Sequence, residues 1–256
     1  WTVASNRKGL DRFLSPLIKN EANKGLNANF GYAKLQNVGK LDIRKTLEGF
    51  KKKLDSNSFS HKEFDYGELK FINNKIEYKD VKARYIVFCE GFQLKRNPWF
   101  SYLPLEGSKG EFLHIRSKVL SQKKIIKAGL FIVPIEKDLF WVGANFDRKD
   151  KTSKPTKSGK DWILIKLKSL LDCTFEVVDH KAAIRPTVKD RRPLLGSHPK
   201  QKNLYIFNGL GSRGVLMGPL LAKWMYKFVV EKKKLYPELA IDRFETYFSN
   251  PKNIDV

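Results

Sequence analysis

"FNGLGSRGVLMGP", Phe207 to Pro219, is the stretch whose reading decides how this chain folds. Gly209, Gly211 and Gly214 spell G-x-G-x-x-G. The apolar run Leu204–Phe207 precedes them and an apolar, helix-like run follows. Strand, glycines, helix is the order of a dinucleotide-binding fingerprint. That fingerprint normally opens a domain. It needs a second βαβ strand and an acidic residue about 20 positions later for the ribose. Here one helix follows, then "EKKKLYPELAIDRF", and little chain remains. Glu231 lies in a lysine-rich helix end rather than at a strand terminus. The loop therefore does not read as a first βαβ turn. Its local physics still stands. Glycine lets the backbone approach a flat or anionic ligand, and exposed N–H groups with a positive helix end behind them favour partial negative charge. A phosphate meets that description, and so does the electron-rich edge of a reduced flavin.

Upstream, helices and strands alternate at both ends of the chain around a β-rich middle. "LDIRKTLEGFKKKL", from Leu41 to Leu54, sets Leu41, Leu47, Phe50 and Leu54 near one helical face. Short strands are expected at Glu63–Gly67, Leu69–Ile72 and Ile76–Tyr78, with Asn73-Asn74 as a hairpin turn. The apolar run Tyr85–Cys89 breaks at Glu90-Gly91 and reads as a buried, parallel strand. "KGEFLHIRS" alternates from Lys109, and "GLFIVPIEKDLFWVGANF" reads as two strands joined around Glu136-Lys137-Asp138. "SGKDWILIKLKSLLD" is a helix opening near Ser158, with Leu164, Leu167 and Leu171 on one side. "CTFEVVDHKAAIRPTV" is a strand ending in an Arg-Pro step, and Val215–Val230 is the last long helix. The fold class is α/β with an α+β insert: a mixed, largely antiparallel sheet in the middle.

Composition bounds the function. The 256 residues are 41% hydrophobic and 12% aromatic, enough for a real core. No apolar run reaches the roughly 18 residues that cross a bilayer, so no membrane partner is expected. Cys89 and Cys173 have neither disulfide nor zinc spacing, which points to a reducing, cytoplasmic setting. His61, His114, His180 and His198 are scattered, without a triad or a metal set. The net charge of +23 raises nucleic acid as a partner. The charge is mostly lysine, spread in groups such as Lys51-Lys52-Lys53 and Lys232-Lys233-Lys234. That spread reads as a generally lysine-rich, solvated surface.

Five blocks, in order, resemble the FAD-dependent oxidoreductases related to D-amino-acid oxidase and glycine oxidase. They are "ARYIVFCEGF", "LPLEGSKGEFLHIRS", "FIVPIEKDLFWVGANFD", "AAIRPTVKDRRPLLG" and "LYIFNGLGSRGVLMGPLLA". The resemblance covers about Leu41 to Phe244. The family opens with its own strand and glycine loop for the FAD pyrophosphate. Nothing like it precedes Leu41, and the chain begins with Trp1. The expectation is a partial FAD-binding domain at 1–100 lacking its N-terminal dinucleotide-binding segment. A substrate-binding domain would follow at 101–182 and a C-terminal flavin-contacting part at 183–256.

The resemblance implies FAD as cofactor and a small amino acid or amine as substrate. It places Gly209, Leu210, Gly211, Ser212, Arg213 and Gly214 against the pyrimidine end of the flavin; the alternative is an ordinary tight turn. Gly91 falls near the FAD phosphates or ribityl chain, or is only a strand-end glycine. Tyr66 and Gly67 fall where the adenine-side strand passes. Arg185, in "AIRP", matches the arginine that pairs with a substrate carboxylate, a role that suits a planar bidentate fork; otherwise it holds a carbonyl or an acid. Arg213 is a second candidate, while Arg191 and Arg192 read as solvated. Phe131 walls the substrate pocket or is plain core. The activity implied is oxidation of a C–N bond with hydride transfer to flavin. Two alternatives remain: a tRNA-modifying relative that removes a carboxymethyl group from a uridine substituent, and a non-enzymatic, basic nucleic-acid-binding protein.

Overall fold

The computed structural model describes residues 1–18, 25–29, 31–73, 75–120 and 123–249. In chain order the first elements are α1 (Thr2–Ser5), β1 (Leu14–Ile18), β2 (Tyr32–Leu35) and α2 (Ile43–Lys51). Four short strands follow: β3 (Leu69–Ile72), β4 (Lys75–Tyr78), β5 (Val81–Ala83) and β6 (Ile86–Phe88). Next come β7 (Ser108–Arg116), β8 (Ile126–Lys127), β9 (Phe131–Glu136), β10 (Leu139–Gly143), α3 (Lys157–Leu170) and β11 (Glu176–Arg185). The last are β12 (Leu194–Ser197), β13 (Leu204–Asn208), α4 (Gly214–Val229) and α5 (Glu245–Ser249). The architecture is mixed α/β with antiparallel sheets. Two compact, interleaved units result: Trp1–Phe59, Gly110–Phe146 and Ser153–Ala183 form the first, and Ser60–Lys109, Asp147–Thr152 and Ile184–Val256 the second.

The first unit is built on a five-stranded sheet in the order β11-β7-β10-β9-β8. Its registered pairs, β7 with β10, β9 with β10 and β8 with β9, are antiparallel. Asp138 makes the β9–β10 turn at φ 62°, a conformation that short Asp tolerates. One face of the sheet buries Leu113, Ile115, Ile132, Phe140 and Val142 against Ile163 and Leu167 of α3. The α3 cap lies ahead of the expected Ser158. Thr156 Oγ1 accepts from Gly159 N at 3.0 Å. The buried Glu111 carboxylate holds Thr156 in turn, accepting from its N–H at 2.8 Å and its hydroxyl at 2.7 Å. The glutamate of the "KGE" segment thus anchors a helix N-terminus.

α2 forms as the sequence predicts, with Asp42 accepting from Lys45 N at 3.0 Å. Its apolar stripe does not enter a core: Leu47 and Phe50 are each 63% exposed. Capping and the Arg44–Glu48 pair at 2.9 Å support this helix instead of packing. The expected strand at Glu63–Gly67 is not one. Asp65 Oδ1 accepts from Gly67 N at 2.9 Å and closes a 3₁₀ turn at Tyr66–Glu68. A short side-chain acceptor has outcompeted a sheet ladder.

The second unit holds two three-stranded sheets. β3, β4 and β5 form an antiparallel meander, with β3 and β4 turning at Asn73, φ 48°. The other sheet has the order β12-β13-β6, and β13 pairs with β6 in parallel. The strand read from Tyr85–Cys89 is therefore parallel, as its continuous apolar run implies. β13 has no polar face because both its faces are covered. Leu204 and Ile206 join Leu69, Ile76, Phe88 and Phe100 on one side. Tyr205 packs with Leu221, Met225 and Val229 of α4 on the other, and Phe207 packs against that cluster. Successive side chains of a strand point to opposite faces, so one five-residue strand nucleates two cores.

The loop between β12 and β13 is held by a buried histidine. His198 is 5% exposed, packed edge-on against Phe100 and Phe248. Its Nδ1 accepts from Gln201 N at 2.9 Å and lies 3.3 Å from Lys200 N. That requires an unprotonated Nδ1. Burial pushes the His198 pKa below its ordinary value, Lys200 and Lys202 push the same way, and a backbone hydrogen bond at Trp99 opposes them. The unfolded chain thus binds a proton near the usual pH of about 6.5 while the folded protein resists it. Stability from this group is complete above pH 6.5 or so and is lost as pH falls toward the depressed folded value. Urea midpoints measured from pH 7.5 to 5 are expected to fall in the wild type, and to fall less in His198→Gln.

Candidate functional site

β6 and β13 run side by side in the same direction, so their carboxyl ends lie together. In open parallel sheets that edge is where ligands bind. Each strand is followed by a glycine of positive φ: Gly91, three residues past β6, at 57° and Gly209, directly after β13, at 71°. One side chain joins them. Asn208, 3% exposed, donates from Nδ2 to Gly91 O at 2.9 Å and accepts at Oδ1 from Gly209 N at 2.7 Å. Both ends of the amide are thus used, which fixes its orientation.

Gly209 has no room for a side chain. A Cβ there would lie 2.6 Å from Val188 Cγ2 and 3.1 Å from Leu194 Cγ. Gly211, at φ 54°, donates to Pro186 O at 3.0 Å. Arg213 N donates to Leu210 O at 3.1 Å. Among the described residues, the N–H groups of Leu210, Ser212 and Gly214 find no protein acceptor. α4 begins at Gly214, and its N-cap, Arg213, supplies no side-chain cap. The loop therefore presents unsatisfied donors in front of a sixteen-residue helix. This geometry attracts partial negative charge.

The Pro186 contact ties the loop to Arg185. Thr187 N returns to Arg185 O at 2.8 Å, and Glu106 N donates to Thr187 O at 2.9 Å. The guanidinium is half-buried, and Arg185 Nη1 donates to Lys109 O at 3.3 Å. Burial pushes its pKa down, yet an arginine starts so high that it stays charged. Lys109 is itself fully buried, its ammonium 2.5 Å from Asp150 Oδ2. That hydrogen bond and one from Thr152 N pull the Asp150 pKa down to about 2.

Beside Gly91, the Glu90 carboxylate accepts from Tyr66 OH at 2.5 Å and from Asn97 Nδ2 at 2.9 Å. Burial and that carboxylate raise the Tyr66 pKa, so the phenol stays protonated. The second unit thus brings Gly91, Tyr66, Arg185 and the Gly209–Gly214 loop into one hydrogen-bonded framework. Phe131 belongs to the first unit. It is not core: it is 42% exposed on β9, with Lys127 Nζ 5.6 Å from its ring centroid. Arg191, Arg192 and Arg213 are exposed. Reading the sequence alone passed over Asn208. Its one signal was a polar residue closing an otherwise apolar strand, directly before the glycines.

Comparison with known proteins sets this framework in context. The family model described as FAD dependent oxidoreductase matches residues 63–227. The chain belongs to this family. It is 27% identical over 174 residues to glycine oxidase of Bacillus subtilis (strain 168), covering 65% of this chain and 46% of that protein. It is 23% identical over 205 residues to the tRNA 5-methylaminomethyl-2-thiouridine biosynthesis bifunctional protein MnmC of Marinobacter nauticus, covering 72% and 32%. The chain thus spans less than half the length of these relatives. Among solved structures, glycine oxidase from Geobacillus kaustophilus superposes with TM-score 0.54 at 22% identity, covering 69% of this chain and 50% of that one. Iminodiacetate oxidase from Chelativorans sp. BNC1 gives TM-score 0.55 at 20% identity, covering 69% and 51%. These likenesses show the fold. Among the described residues no helix is long and apolar enough to cross a membrane, and no cluster of His, Cys, Asp and Glu suits a metal ion.

Gly209→Ala combines a strained positive φ with a clash at Val188, and is expected to cost about 2–4 kcal/mol in urea unfolding. Asn208→Ala leaves the Gly91 carbonyl and the Gly209 amide unpaired and is expected to cost about 2–3 kcal/mol in the same measurement.

Proposed function

We propose that this chain supplies the flavin-ring end and the carboxylate-binding arginine of an FAD-dependent enzyme that oxidises the C–N bond of a small amino acid or secondary amine. One observation carries the reading: the loop at the carboxyl end of β13, with the unpaired amides of Leu210, Ser212 and Gly214 ahead of α4, in a chain of this family. FAD fits that donor set, because an electron-rich ring edge meets N–H groups that no protein atom satisfies. Gly209 to Gly214 would hold the ring, and Gly91 another part of the cofactor. The bound flavin supplies the hydride acceptor.

The chain's own part is orientation and electrostatics. Arg185 binds the substrate carboxylate through its planar fork, and the Lys109 carbonyl steadies the guanidinium. Fixing the carboxylate orients the neighbouring C–N bond, which converts binding energy into rate. The helix end and the loop amides favour negative charge where the ring gains it. Glycine oxidase and iminodiacetate oxidase among the relatives support substrates of this class. The MnmC relatives favour a second reading, in which the same oxidation acts on an amine substituent of a tRNA base.

The test is the visible spectrum of the protein purified at its natural length with FAD. The flavin bands are expected to survive gel filtration and to bleach anaerobically with glycine, iminodiacetate or a similar amine. A protein that retains no FAD and bleaches with none of them overturns the reading. Arg185→Lys is expected to raise KM for a carboxylate substrate by about tenfold or more, since one bidentate pair is lost. Its flavin spectrum should be unchanged. An unaltered KM removes Arg185 from the site.

A further inference from the structure

At the amino ends of β13 and β6, opposite the glycine loops, lies a second concave feature. A cleft of about 380 Å³ opens between the β3–β4 turn and the loop before β13. The β3–β4 hairpin contributes Phe71, Asn73 and Lys75, and the loop contributes Lys200, Gln201, Lys202 and Asn203. Among the described residues, no acidic residue lines it. Among the described residues, none of the three lysines pairs with a carboxylate. Phe71 is 40% exposed. Its ring meets that of Trp99 in a T-shaped contact, with centroids 6.0 Å apart.

Hydrogen bonds hold the loop side of the cleft. His198 Nδ1 holds Gln201 N at 2.9 Å, and Leu204 N closes back on Gln201 O at 3.0 Å. Ile86 N donates to Asn203 O at 3.1 Å, fastening the loop to β6. The hairpin is zipped from Leu69–Tyr78 to Ile72–Lys75.

We infer that this cleft binds single-stranded nucleic acid: a base stacks on Phe71 while Lys75, Lys200 and Lys202 take the flanking phosphodiesters. Lys200 Nζ also lies 5.6 Å from the Phe248 ring centroid. An exposed ring beside ammonium groups that no carboxylate neutralises is the pairing that single strands use, stacking for the base and charge for the backbone. The amides of Asn73 and Gln201 suit the edges of a splayed base. A bilayer surface is flat and does not fill a concave cleft, and the stacked bases of a duplex offer Phe71 no open face. The inference rests on the cleft alone, not on the amine-oxidation reading, and the two fail independently. One is read by oligonucleotide binding, the other by flavin bleaching.

The test is fluorescence anisotropy with a short labelled single-stranded RNA, repeated across a salt series. The triple variant Lys75→Glu, Lys200→Glu, Lys202→Glu is expected to lose affinity about tenfold or more. It should also reduce the salt slope by about 2, since each single-strand phosphate contact contributes roughly 0.7. The charge-matched control reverses Lys51, Lys52 and Lys53 at the carboxyl end of α2, and is expected to change affinity less than about twofold if these lysines contact no phosphate. Phe71→Ala should weaken the single strand about tenfold and leave any duplex binding unchanged. All the substituted lysines are exposed, and thermal unfolding confirms that each variant is folded. Equal losses in the control and the cleft variant overturn the inference, because binding then belongs to the whole basic surface. So does a wild type that binds anionic vesicles but no oligonucleotide, or a Phe71→Ala variant that binds the single strand as tightly as the wild type.

Discussion

The amide of Asn208 is the constraint on which the rest of the second unit's carboxyl sheet edge depends. A parallel pair of strands brings two chain ends together but does not say how they turn away from the sheet. Asn208 does, by donating to the carbonyl of Gly91 and accepting from the amide of Gly209. Buried at 3% exposure, it gains no compensation from water if either bond fails. Both glycines then take positive φ, and the backbone leaves the sheet with its donors facing outward. The loop amides, the start of α4 and the Arg185 strand, fastened through Pro186, all take their places from that bond pair.

The same unit uses its two sheet ends differently. At the carboxyl end the backbone itself supplies the positive character, through unpaired N–H groups and a helix terminus. At the amino end side chains supply it, through lysines on two loops. Backbone donors are fixed and short in reach, which suits a single flat ligand held closely. Ammonium groups on flexible stems suit a polymer whose phosphates arrive at variable spacing. Between the two ends, β13 divides its residues between two cores.

Much of this was legible in the chain. The apolar run ending at Glu90-Gly91 announced a parallel strand, and the hairpin around Glu136-Lys137-Asp138 announced itself by turn chemistry. The Leu41–Leu54 stripe was legible as a helix, but periodicity reports amphipathicity and not what covers the apolar side. The Glu63–Gly67 stretch failed differently: one aspartate carboxylate was enough to turn a strand-like segment into a 3₁₀ turn. The +23 charge was read as an evenly solvated surface. Folding leaves much of it so, yet gathers Lys75, Lys200 and Lys202 from distant parts of the chain around one aromatic ring.

What the sequence determined by itself is the local grammar: apolar runs that must be buried, glycines where the backbone turns against its usual hand, and the order of strand, loop and helix. Those follow from short-range sterics and from the period of side-chain burial. What only the tertiary structure decided is the pairing of polar groups. Asn208 with Gly91, His198 with Gln201, Glu111 with Thr156 and Arg185 with Lys109 each join residues whose partner is chosen by packing. A buried polar atom takes whichever complementary group the surrounding apolar contacts bring within about 3 Å. No spacing rule in the chain states which group that will be.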